Sequence, residues 1–365
     1  MDVDGKEQGS CITSIPDEVL YLIFKKLDKR CDRESFGLTC LRFLEIQNES
    51  RKSWTYSVPD GISVIDKSIV DKLLNRFRNL ESLSLSMLFD ASDKSVTPLQ
   101  RYGSKLHSLS LPAFCHFTDI GFSSIASGCP LLSIFSLHNC SSFGDSGLEI
   151  LSRSCKLLKE VSLGWCSRIT DIGMLSLTQH CRQLRSLRIT ACHNIHGLGF
   201  KGCSPTLTCL DADECGFDST GYNNIFSGGG LEYLNLSIPC RYPMRDAFAM
   251  IGLGLAANLK ILDLALCSFV RDDDIKIISK GCPLLQEWNL SHCYEIQLSG
   301  WESIGLYCKN LERLHLCCCE SLCDLGLLAI GNGCKRLSIL YMSECSKITS
   351  SGIESLKRQR EDLVI

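Results

Sequence analysis

Cys155-Lys156-Leu157-Leu158-Lys159-Glu160-Val161-Ser162-Leu163-Gly164-Trp165-Cys166-Ser167-Arg168-Ile169-Thr170-Asp171-Ile172-Gly173-Met174-Leu175-Ser176-Leu177-Thr178-Gln179-His180-Cys181 contains one full period of this chain. Val161 and Leu163 alternate with Glu160, Ser162 and Gly164, the period of a strand with one buried face. Ile169 then turns inward, and Thr170-Asp171 open a helical stretch. Asp171 is placed to cap that helix by accepting from its free amides, and Met174, Leu175 and Leu177 are assigned to its core face. The same opening is read at Thr118-Asp119, Gly144-Asp145, Cys323-Asp324 and Thr349-Ser350. Gly128, Gly281 and Gly333, each just before a closing cysteine, are read as helix ends that need a residue tolerant of positive φ.

Outward from this unit the pattern repeats in both directions. Its rungs are Leu83-x-Leu85, Leu109-x-Leu111, Phe135-x-Leu137, Val161-x-Leu163 and Leu187-x-Ile189, then Leu262-x-Leu264, Trp288-x-Leu290, Leu314-x-Leu316 and Leu340-x-Met342, with a step of 26 residues inside each block. Two degenerate rungs, Leu210-x-Ala212 and Leu234-x-Leu236, bridge the blocks in steps of 23, 24 and 28, which makes eleven repeats from about residue 80 to residue 365. A fixed period in this range marks a solenoid whose units bury their apolar sides only against one another. Strands stack at about 4.8 Å while helix axes need roughly 8–10 Å. The stack therefore bends with parallel strands inside and helices outside, an α/β horseshoe whose strand ladder runs on the order of 50 Å.

Composition narrows the function class. The 365 residues carry a net charge of −3 and a pI near 6.3, which gives no electrostatic footprint for nucleic acid or anionic lipid. Residues 1–11 read as a polar, disordered tail without the apolar core of a signal peptide, and no run is long enough to cross a membrane. A cytoplasmic or nuclear location, or both, is the expectation. The 24 cysteines follow the repeat. Cys140, Cys166, Cys192, Cys215, Cys267, Cys293, Cys319 and Cys345 fall three residues after the second rung position, and Cys129, Cys155, Cys181, Cys282, Cys308 and Cys334 stand at helix ends. Stacked columns of small, weakly donating side chains are structural and reduced. They do not offer the clustered ligands that zinc requires, and no metal or cofactor is expected. Cys317-Cys318-Cys319 with Cys323 is the one run where such chemistry is conceivable.

The first fifty residues follow another pattern. Pro16 stands at a first helical position, and Val19, Leu20, Ile23, Phe24 and Leu27 form one apolar stripe at helical spacing. A second helical stretch carries Phe36, Leu38, Leu41, Phe43 and Leu44. On spacing alone this is a helical cap on the solenoid. The run Ile15-Pro16-Asp17-Glu18-Val19-Leu20-x-x-Ile23-Phe24-x-x-Leu27, followed by Asp32, Phe36 and Leu38-x-Cys40-x-Arg42-Phe43, resembles an F-box, with Ile15 for the usual Leu, Thr39 for Val, Leu41 for Lys and Phe43 for Trp. The pattern Leu-x-x-Leu-x-Leu-x-x-Cys with Ile-Thr-Asp-x-Gly resembles the cysteine-containing leucine-rich repeat. The two in this order resemble the F-box/leucine-rich-repeat family, in a plant-like form. The resemblance implies an F-box over 12–50 and leucine-rich repeats over 80–365. Between them, over 51–79, Trp54, Tyr56 and Val58 alternate as one more strand about 26 residues before the first clear rung, and Ile65, Ile69, Val70, Leu73, Leu74 and Phe77 have helical spacing, which is read as a degenerate capping repeat. The resemblance also implies a substrate-recognition subunit of a cullin-type (SCF) ubiquitin ligase, not itself an enzyme. Ile15, Pro16, Val19, Leu20, Ile23, Phe24 and Leu27 would dock on a Skp-type adaptor and through it a cullin scaffold, with the horseshoe holding a protein substrate.

The residue between each apolar pair faces the concave side: Ser84, Ser110, Ser136 and Ser162, then Arg188, Asp211, Asn235, Asp263, Asn289, His315 and Tyr341. The later residues supply hydrogen bonds and an aromatic anchor of the kind found at binding hot spots, against the plainer reading of a solvated polar face. With Trp165, Asp213 and Arg313 they form the expected substrate site, flanked by Glu287 and Glu344. The irregular stretch between His193 and Asn258, including Gly228-Gly229-Gly230 and Pro239-Cys240-Arg241-Tyr242-Pro243, is read either as a second recognition element or as drift. His138, His292 and His315 lie near cysteines that belong to the repeat, so a Cys–His nucleophile is disfavoured. A non-catalytic repeat scaffold, or a small-molecule co-receptor of the kind that needs long inward loops, are the other readings.

Overall fold

The computed structural model describes residues 14–55, 69–85, 91–113, 115–237 and 247–365. The polar tail, Tyr56 and Val58 of the extra strand, and the loop 239–243 lie outside these residues.

Three helices open the described chain: α1 (Asp17–Lys25), α2 (Arg30–Thr39) and α3 (Leu41–Ser50). Pro16 is the cap residue preceding α1 rather than its first helical residue. The expected second helical stretch is broken at Cys40, whose backbone is extended (φ −161°, ψ 167°). The break turns Leu38 and Leu41 to solvent while Phe36 stacks on Phe43 with ring centroids 4.3 Å apart. Leu20, Phe24, Phe43 and Ile46 make a small core, against which Ile15, Tyr21, Leu27 and Phe36 pack. Arg42 pins α3 to α1 through an ion pair with Asp17 and a hydrogen bond to the Ile15 carbonyl.

This unit is joined firmly to the repeats. The Lys52 carbonyl accepts from Glu81 N (2.7 Å) and Ser82 N (3.0 Å), and the Lys52 ammonium pairs with Glu81 at 2.7 Å. Arg76 Nε donates to Asn48 at 2.9 Å, and the Arg51 guanidinium lies over the rings of Trp54 and Phe77, themselves stacked at 5.0 Å.

Among the described residues one sheet of twelve parallel strands runs in chain order: β1 (Ser53–Thr55), β2 (Ser82–Ser84), β3 (Ser108–Ser110), β4 (Ile134–His138), β5 (Glu160–Gly164), β6 (Ser186–Arg188), β7 (Cys209–Asp211), β8 (Tyr233–Asn235), β9 (Ile261–Asp263), β10 (Glu287–Asn289), β11 (Arg313–His315) and β12 (Ile339–Tyr341). The register stacks the rungs as the period requires, Leu83 on Leu109, Val161 on Leu187 and Trp288 on Leu314. Trp54 pairs with Leu83, so the extra strand exists, but its step is longer than the 26 residues of the regular blocks. The first-rung side chains from Leu83 to Leu340 are buried, and with the helix-borne residues they form one continuous core. This is the curved leucine-rich-repeat solenoid, strands inside and helices outside. Regular repeats carry ten-residue helices, for example Asp145–Ser154 and Asp324–Gly333. The 23- and 24-residue steps leave space only for a 3₁₀ turn (Leu198–Phe200) and a seven-residue helix (Ser219–Ile225).

Three local readings are corrected. Thr170, not Asp171, caps its helix, its hydroxyl accepting from Ile172 N at 3.2 Å. Asp171 reaches into the following repeat instead, where it accepts from His196 N, Gly197 N and Gly199 N at 3.1, 2.9 and 3.1 Å. Asp145 likewise takes Thr170 N (2.8 Å), Thr170 Oγ1 (2.7 Å) and Gly173 N (3.0 Å), and Asp93, Asp272 and Asp324 act the same way. Leu175 is 37% exposed, because only Met174 and Leu177 of that trio lie on the helix stripe that meets the strands. Gly333 is absent from the positive-φ residues; a methyl there would strike the Gly305 carbonyl of the neighbouring helix. Gly128 meets Leu99, and Gly281 meets Ile251, in the same way, so these glycines serve close helix packing rather than chain reversal.

Candidate interaction surfaces

The apolar stripe of α1 is divided by the fold. Leu20 (1% exposed) and Phe24 (7%) point into the three-helix core, which removes them from any surface, and Ile15 and Leu27 are half-buried against the same core. Pro16, Val19 and Ile23 remain accessible, joined by Leu22, which the periodic reading passed over because it falls off the stripe. Leu38 and Leu41, freed by the break at Cys40, are 85% and 80% exposed. A groove between α1 and α3 is lined by Tyr21, Leu22, Lys25, Arg42 and Glu45.

On the concave face the expected residues separate into two groups. Asp211, Asn235, Asp263 and Asn289 occupy successive strands as a hydrogen-bonded ladder. Asn235 donates to Asp211 at 3.0 Å, and Asn289 to Asp263 at 2.9 Å. The side-chain oxygens of Asn235, Asp263 and Asn289 also accept from the amides of Ser237, Ala265 and Ser291 at 3.0, 2.9 and 3.1 Å, each ending its own strand. Asp213 accepts from the Ser237 hydroxyl at 2.9 Å. Much of the polarity read as recognition is thus engaged internally. Burial raises the Asp211 carboxyl above its ordinary value. Tyr233, which the rung arithmetic did not single out, is pushed up to about 12 by burial and by Asp211.

The second group converges near the last repeats. Arg313 grips Glu287 through Nε (2.8 Å) and Nη2 (2.6 Å), while His315 Nε2 meets the other Glu287 oxygen at 3.1 Å. Burial works to raise the Glu287 carboxyl, but the hydrogen bonds from Arg313 and His315 outweigh it and hold the group below its usual range. The His315 ring stacks on Tyr341 at 4.3 Å, leaving Tyr341 44% exposed as an aromatic platform over a fixed charge cluster. Arg188 and Trp165 are exposed in the middle of the arc, the Trp165 ring set edge-on to His193.

Trp165 owes its position to the backbone. It has φ 59°, and the equivalent residues Asn139, Ala191, Glu214, Leu266, His292, Cys318 and Glu344 are also left-handed. Non-glycine residues pay about 1–2 kcal/mol for this conformation. The ladder offsets it: Trp165 N donates to Thr190 O at 2.8 Å and His292 N to Cys317 O at 2.9 Å. The turn also drives the next residue, the column cysteine, inward. Leu264 O accepts both Cys267 N (3.2 Å) and Cys293 Sγ (3.2 Å), so a buried carbonyl has two donors. Cys192, Cys215, Cys319 and Cys345 repeat that thiol bond to the preceding repeat.

Within Cys317-Cys318-Cys319 the sulfurs diverge, Cys318 toward Glu344 and Cys319 toward Leu290 O. Among the described residues no group of three or more His, Cys, Asp and Glu side chains is arranged to hold a metal ion, and no helix is long and apolar enough to cross a membrane. Gly228-Gly229-Gly230 makes a tight turn: Gly229 has φ 66°, and a methyl on Gly230 would strike the Pro205 carbonyl. That part of the irregular stretch is explained by packing.

Residues 154–177 match the family model described as Leucine Rich repeat. Among curated proteins, F-box/LRR-repeat protein 12 of Arabidopsis thaliana is 46% identical over 287 residues, spanning 76% of this chain and 72% of the relative. Among solved structures, the yeast Rad7 and Elc1 complex aligns with a TM-score of 0.58 at 17% identity, over 92% of this chain and 90% of that one, a likeness of fold.

Proposed function

The chain belongs to the F-box/LRR-repeat protein family, and on that premise we propose that it is the substrate-recognition subunit of a cullin-type (SCF) ubiquitin ligase. In this reading residues 12–50 are the F-box and bind a Skp-type adaptor. The repeats hold a protein substrate, and the chain itself performs no catalysis. The observation that carries the reading is a three-helix unit fixed to the solenoid that leaves five large apolar side chains, Val19, Leu22, Ile23, Leu38 and Leu41, exposed. Exposed apolar surface of this kind marks an interaction site. The firm junction suits the task, since a ligase works by holding its substrate at a set distance and raising the effective concentration of a lysine. Reduced thiols fit work in the cytoplasm or nucleus.

Co-purification of the full chain with a Skp-type adaptor tests this. Leu22→Asp with Ile23→Asp should abolish capture without moving the thermal transition of the repeats. Leu20→Ala should instead loosen the three-helix unit by about 2–5 kcal/mol, as large-to-small changes in a core do. Failure of the wild-type chain to capture the adaptor, or full capture by the surface variant, overturns the reading.

A further inference from the structure

The edge where the chain enters the strands carries a charge column that is balanced in several repeats and unbalanced in one place. Two residues before the first rung, Lys52 pairs with Glu81 across adjacent repeats at 2.7 Å, and Glu232 with Lys260 at 2.8 Å. Near the last repeats Glu312 of the same column takes Arg336 at 2.9 Å. In the fourth and fifth regular repeats the column holds Lys159 directly beside Arg185. Their backbones are hydrogen-bonded, Arg185 N to Lys159 O at 2.8 Å, so the two cations sit one strand spacing apart. Three residues earlier Lys156 and Arg182 hold equivalent positions of the same two repeats, and Arg182 Nη1 also donates to the carbonyls of Thr178 at 3.5 Å and Gly202 at 3.3 Å. All four are exposed, and among the described residues none of them forms an ion pair. Arg188, farther along β6, stands in register with Asp211 of β7, whose carboxylate it stabilises, so the unbalanced charge is confined to the edge where the chain enters the strands. Like charges directly opposite in a sheet are destabilising, and the same fold relieves them with a carboxylate elsewhere.

We propose that this edge is a docking surface for an acidic, Asp/Glu-rich segment of a partner protein, whose carboxylates supply the counter-charges that the neighbouring repeats supply for themselves. The patch is two strands wide, about 5 Å between its columns, which suits a short extended peptide. A duplex needs a longer basic stripe to engage many phosphates, and the chain as a whole carries a net charge of −3. The inference depends on neither the three-helix unit nor the Glu287 cluster, so it stands or falls apart from the ligase reading.

The test is fluorescence anisotropy on the full chain with a labelled Asp/Glu-rich peptide. The same peptide with Asn and Gln in place of the acids, and a short single-stranded DNA, serve as competitors. The acidic peptide should bind and weaken steeply with added salt, and the neutral peptide should not bind. Lys159→Glu sets a carboxylate beside Arg185, a pairing like that of Glu232 with Lys260, so it should weaken the peptide by about tenfold or more while leaving the thermal transition as high as before. Arg185→Gln, which removes one cation and adds no charge, should weaken it in the same direction and guards against a misfolded first variant. Absence of peptide binding at low salt, undiminished binding in both variants, or DNA binding at least as tight as peptide binding overturns the proposal.

Discussion

Burial pushes the thiols of Cys166, Cys181, Cys282 and Cys293 up to about 12, and those of Cys192 and Cys308 to about 11. The folded chain therefore holds these protons more tightly than the unfolded chain. Their contribution to stability is complete below the ordinary thiol pKa and is lost as pH rises from there toward 11–12. The thermal transition should fall steeply above about pH 9, each thiol adding up to about 1.4 kcal/mol per pH unit. Cys166→Ala with Cys192→Ala should make that fall shallower, and native thiol labelling should reach only a minority of the cysteines. A transition that is flat through this range would refute the buried-thiol account. Glycine gives the second test at this scale. In a helix interior Gly→Ala ordinarily gains about 1 kcal/mol, but Gly333→Ala forces a methyl onto the Gly305 carbonyl and should lose about 1–3 kcal/mol through overpacking. Denaturant midpoints decide between the two signs.

At the scale of the element, the helices that begin at Asp119, Asp171, Leu298 and Ser350 are each held by an aspartate from a helix of the repeat before. Asp145→Ala removes three hydrogen bonds from the next repeat and should cost about 1–3 kcal/mol, the range for leaving such donors unpaired. Because repeats contact mainly their neighbours, the loss should be local. Hydrogen exchange should quicken at Thr170 and Gly173 and stay unchanged in the last repeats; uniform quickening would mean that the link is not confined to one junction. The aspartates were visible in the sequence, and the interval of 26 residues placed each at a helix start. Which helix each one serves depends on the distance between adjacent helices, a quantity that no single repeat contains.

At the scale of the molecule, the concave arc offers few free groups for its area. Asn235 and Asn289 are committed to the ladder, so Asn235→Ala and Asn289→Ala should lower the denaturant midpoint and leave protein capture by the folded fraction little changed. Trp165, Arg188 and Tyr341 stand free of that ladder and exposed. Their substitution by Ala should move stability by no more than about 0.5 kcal/mol, while loss of a true anchor weakens binding by about 2 kcal/mol or more. Affinity capture with the full chain, compared with the same chain carrying Ser84→Thr and Ser110→Thr, separates the two. Equal capture by the Trp165, Arg188 and Tyr341 variant would place the substrate elsewhere. The sequence by itself determined the solenoid, its strands and helices, and the burial of the rung residues, because a fixed period leaves each unit one way to cover its apolar side. Tertiary structure alone decided which side of α1 faces outward, why the helix-end glycines are needed, and which concave residues are already paired. Those outcomes rest on contacts between residues a repeat apart, whose distances follow from how one unit packs on the next.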